Sequence, residues 1–435
     1  MIIKDAMCSV CGATCDDLTV EYDPEKKTMN VQNACRMGSA KLHEVFNEHR
    51  ITSPMVKKGG NLVECGWDEA LDRAADILAG ADYPLFFMGS ECFSEAQLVG
   101  IKMAEYLGGN VDGNATICHG PTVMGIQDAG LVTATMGEVK NRADLIIYWG
   151  TNPIESMPRH MSHYAVFPRG YFTKAGRRNR KIVVVDPRKT PSANISDLFI
   201  QIKPGTDYEL FAAIRAILKG NPVDPSIEDT TGVRMDDIKG LIEMMKGAKF
   251  GAIFVGLGTA SSFGKYRTQA AAMHLVQELN SHTKFVMGAL RGHANVAGFN
   301  QVLSYYSGYP FSVNYSKGYP RFNPGEFTTV DMLAKGEPDA VLCLAGDLGA
   351  HLPRKSVENL SKTPLITIDV AMTPTTTLSE VVLPGVHTIE SEGTMYRLDN
   401  VPLYSRKGME SPLGFTKSDE DTLNQLFERV KKRKK

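Results

Sequence analysis

Half of the cysteines in this sequence are gathered near its start. Cys8, Cys11, Cys15 and Cys35 have the spacing C-x2-C-x3-C-x19-C, whereas the other four of the eight are scattered over the rest of the chain. Three closely spaced thiolates with a fourth from a distant loop suit a cubane iron–sulfur cluster. Zinc is the main competitor, but structural zinc sites usually take cysteines as two close pairs; four unconnected cysteines are the remaining alternative. The spacing predicts a 4Fe–4S electron-transfer centre.

A weak internal repeat has the features of a nucleotide site. In each copy a strand-like run ends in a glycine-containing turn, and the next strand-like run ends in an aspartate: Gly150 to Pro153 with Asp186, and Gly346 to Gly349 with Asp369. A glycine turn lets backbone amides approach a phosphate, and a carboxylate after the next strand can accept hydrogen bonds from ribose hydroxyls. The two copies suit two dinucleotides, or one bound across a pseudo-twofold. Ordinary turns between strands and helices are the alternative.

The elements that must position these residues alternate between two kinds. Short β-branched runs predict strands at Leu85–Met88, Leu145–Trp149, Lys181–Val185, Ala252–Val255, Phe285–Met287, Ala340–Leu344, Leu365–Ile368 and Val381–Leu383. Helical periodicity predicts helices at Trp67–Leu78, Glu95–Tyr106, Tyr208–Leu218, Tyr266–Leu279 and Asp421–Lys431. This alternation is typical of parallel α/β layers. Two stretches differ: residues 1–55 lack long apolar runs and need support other than a hydrophobic core, and Gly298–Thr329 is predicted to form long loops.

Composition excludes several classes of protein. The chain has 435 residues, 43% of them hydrophobic and 22% charged, which is close to an average soluble protein of about three domains. A formal net charge of −1 does not suit binding to nucleic acid. No run approaches the ~18 apolar residues of a membrane span, and the opening MIIKDAMCSVCG has no pattern of an export signal. We therefore expect a cytoplasmic protein.

Several segments together resemble the molybdenum- or tungsten-bis(pyranopterin guanine dinucleotide) oxidoreductases. They are the opening CSVCGATCDD, the segment GWDEALDRAADIL, the tetrapeptide CHGP at 118–121, the loop RGHANVAG at 291–298, and the segments WGTNP, VVVDPRKTPSA and LPGVHTIESEGT. Their order is that of formate dehydrogenases. Within this superfamily, the opening and RGHANVAGFN are most similar to the B subunits of formylmethanofuran dehydrogenases, which the resemblance links to methanogenesis.

The resemblance implies a role for each motif. Cys118 would be the protein ligand of the tungsten or molybdenum, His119 would move protons, and Arg291 would hold formate and stabilise charge on CO2 oxygens. Either metal fits, because dithiolenes and Cys118 would hold both. Formate dehydrogenases place a lysine soon after the fourth cluster cysteine; here Arg36 and Met37 follow it, and the nearest lysine is Lys41. The pterin contacts implied are Gly150, Asn152, Pro153, Asp186, Arg188, Thr190, Gly292, Asn295, Gly346, Asp347, Asp369, Glu392 and Gly393.

The resemblance also implies an architecture and partners. We expect an α/β protein with an iron–sulfur segment at 1–55, a discontinuous Rossmann-like pterin-binding domain at 56–125 and 285–435, and a second such domain inserted at 126–284. Formate dehydrogenases continue into a β-barrel that covers the pterins, and nothing after Leu383 predicts one. In formylmethanofuran dehydrogenases this barrel resembles a separate chain, the D subunit. Further expected partners are an amidohydrolase-like zinc chain, the A subunit, which would condense formate with methanofuran, together with a C subunit and a polyferredoxin.

Three functions fit these features. The first is the CO2-reducing subunit of a formylmethanofuran dehydrogenase, which receives electrons through the 4Fe–4S cluster. The second is a formate dehydrogenase catalytic chain whose last domain lies on another polypeptide. The third is a non-catalytic electron-transfer scaffold. The presence of Cys118, His119 and Arg291 together favours a catalytic chain over a scaffold.

Overall fold

Near-continuous apolar runs become fully buried strands in this chain. In the run Leu145–Trp149, for example, all five side chains are buried, as expected for a strand covered on both faces of a parallel sheet. The computed structural model describes residues 1–415 and 417–434. They divide into a terminal unit, Met1–Ile117 with His293–Lys435, and a central unit, Cys118–Gly292. The chain thus passes between units after residues 117 and 292, where the sequence indicated 125 and 284.

The described residues form the following elements. The strands are β1 (Ile2–Ala6), β2 (Leu18–Asp23), β3 (Thr28–Gln32), β4 (Met55–Lys58), β5 (Asn61–Glu64), β6 (Pro84–Met88), β7 (Asn110–Gly113), β8 (Leu145–Trp149), β9 (Lys181–Asp186), β10 (Leu198–Gln201), β11 (Phe250–Val255), β12 (Lys284–Ala289), β13 (Val313–Asn314), β14 (Arg321–Phe322), β15 (Ala340–Leu344), β16 (Leu365–Asp369), β17 (Val381–Pro384), β18 (Gly393–Tyr396) and β19 (Pro402–Ser405). The α-helices are α1 (Arg36–His43), α2 (Trp67–Gly80), α3 (Ser94–Leu107), α4 (Gly120–Ala129), α5 (Met136–Arg142), α6 (Pro153–Ser156), α7 (Asp207–Leu218), α8 (Ile227–Thr231), α9 (Met235–Gly247), α10 (Leu257–Ala260), α11 (Tyr266–Leu279), α12 (Val296–Ser307), α13 (Thr329–Lys335), α14 (Leu348–His351), α15 (Arg354–Leu360), α16 (Pro374–Leu378) and α17 (Asp419–Lys434). Shorter 3₁₀ turns occupy Glu44–Phe46, Asn114–Ile117, Gly176–Asn179, Ala193–Ile195 and Thr388–Glu390, and a π-helical turn occupies His160–Ala165.

The central unit is built on a parallel sheet in the order β10-β9-β8-β11-β12. Each neighbouring pair of strands runs in the same direction, so all carboxyl ends lie at one edge of the sheet. Strand residues and helices α7, α9 and α11 supply the core of this unit. In open parallel sheets, ligands bind outside the carboxyl ends of the strands. This edge is therefore where a ligand site of the central unit is expected.

The terminal unit contains a mixed sheet in the order β14-β13-β7-β6-β15-β16-β17-β4-β5. Its middle strands, β7, β6, β15, β16 and β17, are parallel, and antiparallel strands flank them on both sides. The carboxyl ends of the middle strands again share one edge. The predicted α/β class is confirmed, and the predicted strands and helices are present with their ends shifted by a few residues.

Two expectations about irregular regions need correction. The opening residues form an antiparallel sheet, β1-β2-β3, and bury Leu18, Val20, Leu42 and Val45, so apolar packing does support this segment. The stretch expected to be long loops begins with α12, which buries Val296, Phe299 and Leu303 on one face. Its glycine, asparagine and tyrosine content conceals this helical periodicity.

A buried ion pair ties the end of the opening segment to a turn near residue 390. Arg50 donates from both terminal nitrogens to the two carboxylate oxygens of Glu390, at 2.7 and 2.8 Å. Arg50 also donates to the carbonyl oxygen of Val45 (3.2 Å), and Glu390 accepts from the Ser411 hydroxyl (2.9 Å) and the His387 amide (2.9 Å). Both charged side chains are almost fully buried. Removing one partner would leave the other charge uncompensated.

We expect Arg50→Met to lower the free energy of unfolding by about 3–5 kcal/mol, because it leaves a buried carboxylate without its cation. Arg50→Met/Glu390→Met should recover most of this loss. Burial acts to raise the pKa of Glu390, but Arg50 outweighs it and holds the pKa below the ordinary 4.5. The pair therefore stabilises fully above about pH 4.5, and its contribution is lost as the pH falls through the folded-state pKa. Urea unfolding at pH 7 and pH 4 measures both effects. If Arg50→Met loses more free energy of unfolding at pH 4 than at pH 7, the ion pair does not stabilise the protein in this way.

Among the described residues, none of the helices combines the length and apolar character needed to cross a bilayer.

Candidate functional site

Cys118 lies beside the segment that ends the central unit. It is half-buried and lies two residues before the start of α4, while Arg291 and Gly292 follow β12 at the carboxyl edge of the parallel sheet. Burial raises the pKa of the Cys118 thiol, while hydrogen bonds from the Gly292 and His119 amides and the charge of Arg291 act to lower it. All three of these groups stabilise a thiolate over a thiol. The thiolate is the form that binds a soft metal.

Arg291 contributes the positive charge at this site. Only 6% of the residue is exposed, and burial lowers the pKa of its guanidinium, while Cys118 acts to raise it. Arginine remains protonated in proteins even so. A buried, fixed guanidinium beside a thiol is suited to holding a small carboxylate, because its planar fork can donate two parallel hydrogen bonds.

His119 is enclosed within the central unit. Its Nδ1 lies 3.0 Å from the Thr122 hydroxyl, and its Nε2 lies 3.1 Å from the carbonyl oxygen of Leu290. Burial, with a smaller contribution from Arg291, lowers the pKa of His119 to about 4. The ring is therefore neutral at pH 7, and because a carbonyl only accepts, its single proton is at Nε2. The Thr122 hydroxyl oxygen also lies 3.2 Å from Oε1 of Gln269, and its single proton can be donated to only one of these two acceptors at a time. Both ring nitrogens thus have protein partners.

The carboxyl edge of the central unit also gathers the first copy of the repeat. Gly150, directly after β8, has φ of +60°, and a Cβ there would lie 2.8 Å from the amide nitrogen of Thr259. Only glycine suits this turn. The Asn152 side-chain oxygen accepts from the Ser192 hydroxyl (2.6 Å), and the Asp186 carboxylate accepts from the Arg188 amide (2.9 Å). The structure brings together six predicted contacts here, namely Gly150, Asn152, Pro153, Asp186, Arg188 and Thr190.

Sequence reasoning missed a second glycine turn at this edge. Gly256 and Gly258 follow β11, and the Gly258 amide donates to the carbonyl oxygen of Gly150 at 3.0 Å. Because β11 pairs with β8 in the sheet, the two turns lie side by side. The run VGLGT after an apolar strand was the signal that could have indicated it. Together the turns form a small-residue surface where a phosphate can approach the backbone.

The terminal unit has a cleft of about 280 Å³ at the carboxyl ends of β6, β15, β16 and β17. The second copy of the repeat lines it, with Gly346, Asp347 and Asp369. Asp347 accepts from the Thr375 hydroxyl at 2.6 Å, so this carboxylate orients α16. Burial raises the pKa of Asp369 to about 7. A protonated carboxyl group at the end of a strand can both donate to and accept from ligand hydroxyls.

Lys41 also lies in this cleft, six residues after the last cysteine of the opening motif. Its ammonium group contacts Glu91 at 2.7 Å and Glu44 at 2.9 Å. Burial acts to lower the pKa of Lys41, but the two carboxylates outweigh it and hold the pKa above its ordinary value. Glu91 also contacts Nδ1 of His293 at 3.3 Å. A chain of polar groups therefore extends from Glu44 to His293 along the wall of the cleft.

Three predicted pterin contacts lie with the hairpin β18–β19 and not on the lining of this cleft. The Asn295 side chain donates to the Cys92 carbonyl oxygen (2.7 Å) and accepts from the Tyr396 amide (2.8 Å), so it holds β18 in place. Gly393 begins β18, and Glu392 directly precedes it. Gly292 is in the central unit, beside Cys118. Their roles as cofactor contacts stay predictions.

The four N-terminal cysteines come together in the terminal unit. Cys8, Cys11 and Cys15 lie in the loop between β1 and β2 and are buried, and Cys35 caps α1, where its sulfur accepts from the Gly38 amide at 3.5 Å. A Cβ on Gly38 would lie 3.0 Å from the Cys8 sulfur and 3.8 Å from the Cys35 sulfur. Burial raises the pKa of Cys11 to about 12, and Cys8 and Cys35 also raise it. The start of α1 thus brings Gly38 between the sulfurs of Cys8 and Cys35.

The four cysteines provide a donor set that a metal site can use. Four thiolates can hold one zinc ion, with Zn–S bonds of about 2.3 Å, or a 4Fe–4S cluster. The Gly38 amide donates to the Cys35 sulfur at 3.5 Å, and hydrogen bonds to sulfur are among the features that tune an iron–sulfur cluster. The donor set is compatible with the predicted 4Fe–4S cluster, which stays a prediction.

Comparison with known proteins places the chain in a family. The model of the molybdopterin oxidoreductase family matches residues 50–429. The chain belongs to the molybdopterin oxidoreductase family. Within it, the chain is 41% identical to the B subunit of tungsten-containing formylmethanofuran dehydrogenase 2 of Methanocaldococcus jannaschii, over 99% of both sequences. This similarity makes it a member of the B-subunit group of these oxidoreductases.

Two solved structures share the fold of this chain. Acetylene hydratase from Pelobacter acetylenicus matches with a TM-score of 0.73 at 17% identity, over 98% of this chain and 69% of that one. A chain of the formyltransferase/hydrolase complex from Methylorubrum extorquens, solved with methylofuran, matches with a TM-score of 0.70 at 20% identity, over 87% of this chain and 99% of that one. At these identities the likeness concerns the fold, so the local groups must decide the chemistry.

Proposed function

We propose that this chain is the CO2-reducing subunit of a formylmethanofuran dehydrogenase and that it works reversibly with formate. The observation that carries the proposal is the grouping of Cys118, Arg291 and two sulfur-directed amides at one edge of the central unit. A tungsten or molybdenum ion with two pyranopterin guanine dinucleotides, when bound, supplies the two-electron chemistry. This chain supplies a soft ligand in Cys118 and a fixed cation in Arg291.

Arg291 would bind and orient the substrate. Formate and CO2 differ by a hydride equivalent, and both place partial or full negative charge on oxygen. A guanidinium fixed by burial needs little reorganisation as that charge develops, which is the condition for electrostatic catalysis. Its depressed pKa does not neutralise it at pH 7. The Gly292 amide, directed at the Cys118 sulfur, would keep the two groups at a constant separation.

His119 would position the arginine segment. Its Nε2 proton is donated to the carbonyl oxygen of Leu290, the residue directly before Arg291. Thr122 holds the other side of the ring. For His119 to carry a proton to substrate, one of these hydrogen bonds would have to open. Both functions are compatible with the motif, and the closed hydrogen-bond pattern favours positioning.

Each unit would hold one dinucleotide at its own carboxyl edge. In the central unit the two glycine turns after β8 and β11 would face the phosphates, and Asp186 would accept from the ribose. In the terminal unit Gly346 and Asp369 would take the same roles within the cleft. The 4Fe–4S cluster at the four cysteines would exchange single electrons with an external ferredoxin-like donor.

The other chains of the assembly would complete the enzyme. Among the described residues after Pro384, the strands β18 and β19 form a two-stranded antiparallel hairpin. A separate β-barrel chain resembling the D subunit would cover the pterins, and an amidohydrolase-like zinc chain resembling the A subunit would condense formate with methanofuran. A chain like the C subunit would join them, with a polyferredoxin as the electron donor. The Methylorubrum protein, which was solved as a complex of several chains, supports an assembly of this kind.

One experiment tests the proposal as a whole. The assembly is purified anaerobically through a tag on this chain, and its metals, pterins and subunits are measured by elemental analysis and native mass spectrometry. We expect one tungsten or molybdenum, two pterin guanine dinucleotides and a smaller β-rich subunit per copy of this chain. A preparation that lacks metal and pterin yet is active in formyl transfer would instead make the chain a scaffold. If the purified assembly contains metal and pterin but no amidohydrolase-like chain, the result would favour a formate dehydrogenase catalytic chain.

Arg291→Lys is expected to lower formate turnover at least about tenfold. Lysine keeps the charge but not the two-donor fork, and one lost charged hydrogen bond is worth about 1.5–3 kcal/mol. Dye-linked formate oxidation measures the effect. Arg267→Lys is the matched control, because Arg267 is an exposed arginine of the same unit. Normal turnover in Arg291→Lys, or equal losses in both variants, would contradict the substrate-binding role.

A further inference from the structure

A loop in the central unit exposes an unusual number of aromatic rings. Phe167, Tyr171 and Phe172 are 48%, 72% and 62% exposed. They belong to residues 167–180, which we name the aromatic–basic loop and which connects the π-helical turn to β9. Three large rings exposed within six residues leave apolar surface in water, and such patches on soluble proteins usually mark interaction sites.

The aromatic–basic loop is held in one shape by a buried arginine. Arg180 is 2% exposed and donates to the carbonyl oxygens of Lys140 (2.7 Å), Val166 (3.2 Å) and Pro168 (2.6 Å). It also donates to the Ala143 carbonyl oxygen and the Thr173 hydroxyl. No carboxylate is among these acceptors, so backbone carbonyls and one hydroxyl stabilise the charge. A loop fixed in this way presents its side chains already ordered, which lowers the entropic cost of binding.

Asn141 anchors the exposed rings themselves. Its side-chain oxygen accepts from the Tyr171 amide at 2.9 Å, and its carbonyl oxygen accepts from the Phe172 amide at 2.9 Å. The guanidinium of Arg142 lies 5.2 Å from the centre of the Phe172 ring. The rings are therefore displayed on a fixed backbone beside a cation.

The aromatic–basic loop carries only positive charge. Residues 167–181 include six arginines and lysines and no acidic residue. Asp197 pairs with Arg177 (3.0 Å) and lies near Lys181 (3.8 Å). Arg169, Lys174 and Arg178 are exposed, and the described residues supply no ion-pair partner to any of them. The uncompensated positive charge surrounds the exposed rings.

The aromatic–basic loop lies at the opposite edge of the sheet from the proposed chemistry. It hydrogen-bonds to residues 140–143, directly before β8, and it leads into the amino end of β9. Cys118, Arg291 and the glycine turns are at the carboxyl edge. Strands of five or six residues separate the edges by about 17–20 Å. The loop is therefore not part of the cofactor or substrate site.

We propose that the aromatic–basic loop is a docking surface for an acidic patch on another polypeptide of the assembly. Arginine and aromatic residues are the side chains enriched at the centres of protein interfaces. Their positive charge selects a partner with exposed aspartate and glutamate, and the partner would bury the rings. Nucleic acid is the less favoured ligand, because the chain as a whole has a net charge of −1 and the cations are confined to one loop.

Carbodiimide cross-linking of the intact assembly tests the proposal directly, because this reagent joins lysine to a carboxylate only when the two are in contact. We expect Lys174 to be joined to an aspartate or glutamate of a different polypeptide, and the yield to fall as the salt concentration rises. Lys239, an exposed lysine on α9 of the same unit, is the control and should give no such product. A Lys174 product only within this chain or with a second copy of it would overturn the proposal, as would a nuclease-sensitive complex.

A pair of charge-reversal variants supplies the second measurement. Lys174→Glu/Arg178→Glu should lower retention of the cross-linked polypeptide at least tenfold by native mass spectrometry. Lys239→Glu/Lys284→Glu changes the charge of the same unit equally and should retain that polypeptide. Dye-linked formate turnover should be unchanged in both, so this result is independent of the proposed redox function. Equal retention in the two variants would overturn the proposal.

Discussion

Replacing Cys118 by alanine is expected to abolish dye-linked formate oxidation and CO2 reduction. Even changes to groups that only support a metal ligand cost about 10–100-fold, so removing the ligand should lower the rate by more than about 100-fold. The side chain is half-buried, and losing one sulfur atom should alter the free energy of unfolding by only about 1 kcal/mol. The iron of the proposed cluster should remain, because Cys8, Cys11, Cys15 and Cys35 are in the terminal unit, whereas Cys118 is in the central unit.

Cys65→Ala is the matched control for this variant. Cys65 is also half-buried, and its thiol donates a long hydrogen bond to the carbonyl oxygen of Pro54 at 3.7 Å. Activity, iron and tungsten or molybdenum should be normal in Cys65→Ala. Elemental analysis and steady-state rates of the wild type, Cys118→Ala and Cys65→Ala test whether Cys118 is the metal ligand. Near-normal turnover in Cys118→Ala would place the metal ligand elsewhere.

Replacing Cys35 is expected to remove or convert the 4Fe–4S cluster. Cys35 has two functions in the structure, because its sulfur faces the cluster cysteines and also accepts the Gly38 amide at the start of α1. Cys35→Ala loses both, and loss of a helix cap costs about 1 kcal/mol. Cys35→Ser keeps a capping oxygen but loses the thiolate. Both variants should lose the wild-type electron paramagnetic resonance signal, whereas Cys35→Ser should retain most of the stability.

The serine variant separates a cluster ligand from a structural cysteine. If the cluster exchanges electrons with an external ferredoxin-like protein, Cys35→Ser should lower the activity measured with that protein by more than about tenfold. Changes to groups around a metal site have costs of this size. Cys65→Ser, which alters a cysteine outside the motif, should keep four irons per chain. One zinc and no iron in anaerobically prepared wild-type protein would refute the cluster assignment. A normal iron signal in Cys35→Ser would show that Cys35 serves only as a cap.

Local sequence alone predicted eight of the nineteen strands and five of the seventeen α-helices among the described residues. Parallel strands with both faces covered are continuous apolar runs, so each of the eight predicted strands could be located from the chain itself. Long amphipathic helices such as α2 and α11 were equally evident. Elements whose stability comes from distant residues were not predicted. β1 to β3 are short and partly exposed, and α12 begins after Asn295 in the left-handed conformation, so neither has a strong local pattern.

Motif spacing alone also indicated a group of four cysteines near the start of the chain and the glycine turns at 150–153 and 346–349. Both are local features, because three cysteines in one loop and a glycine after a strand do not depend on the rest of the fold. The fourth cysteine was predicted as a ligand, but its role as the cap of α1 required the structure. So did the close approach of Gly38 to Cys8 and Cys35, since nothing in the local sequence marks that glycine.

Only the tertiary structure decided how distant residues meet. His119 and Leu290 are 171 residues apart, and they touch because α4 packs against α11, next to β12 in the sheet. The same packing places Cys118 beside Arg291 and gives both ring nitrogens of His119 a partner within the protein. Local periodicity specifies which residues form an element and which face is apolar. The order of strands in a sheet depends instead on which apolar faces pack best together, and that is a property of the whole chain.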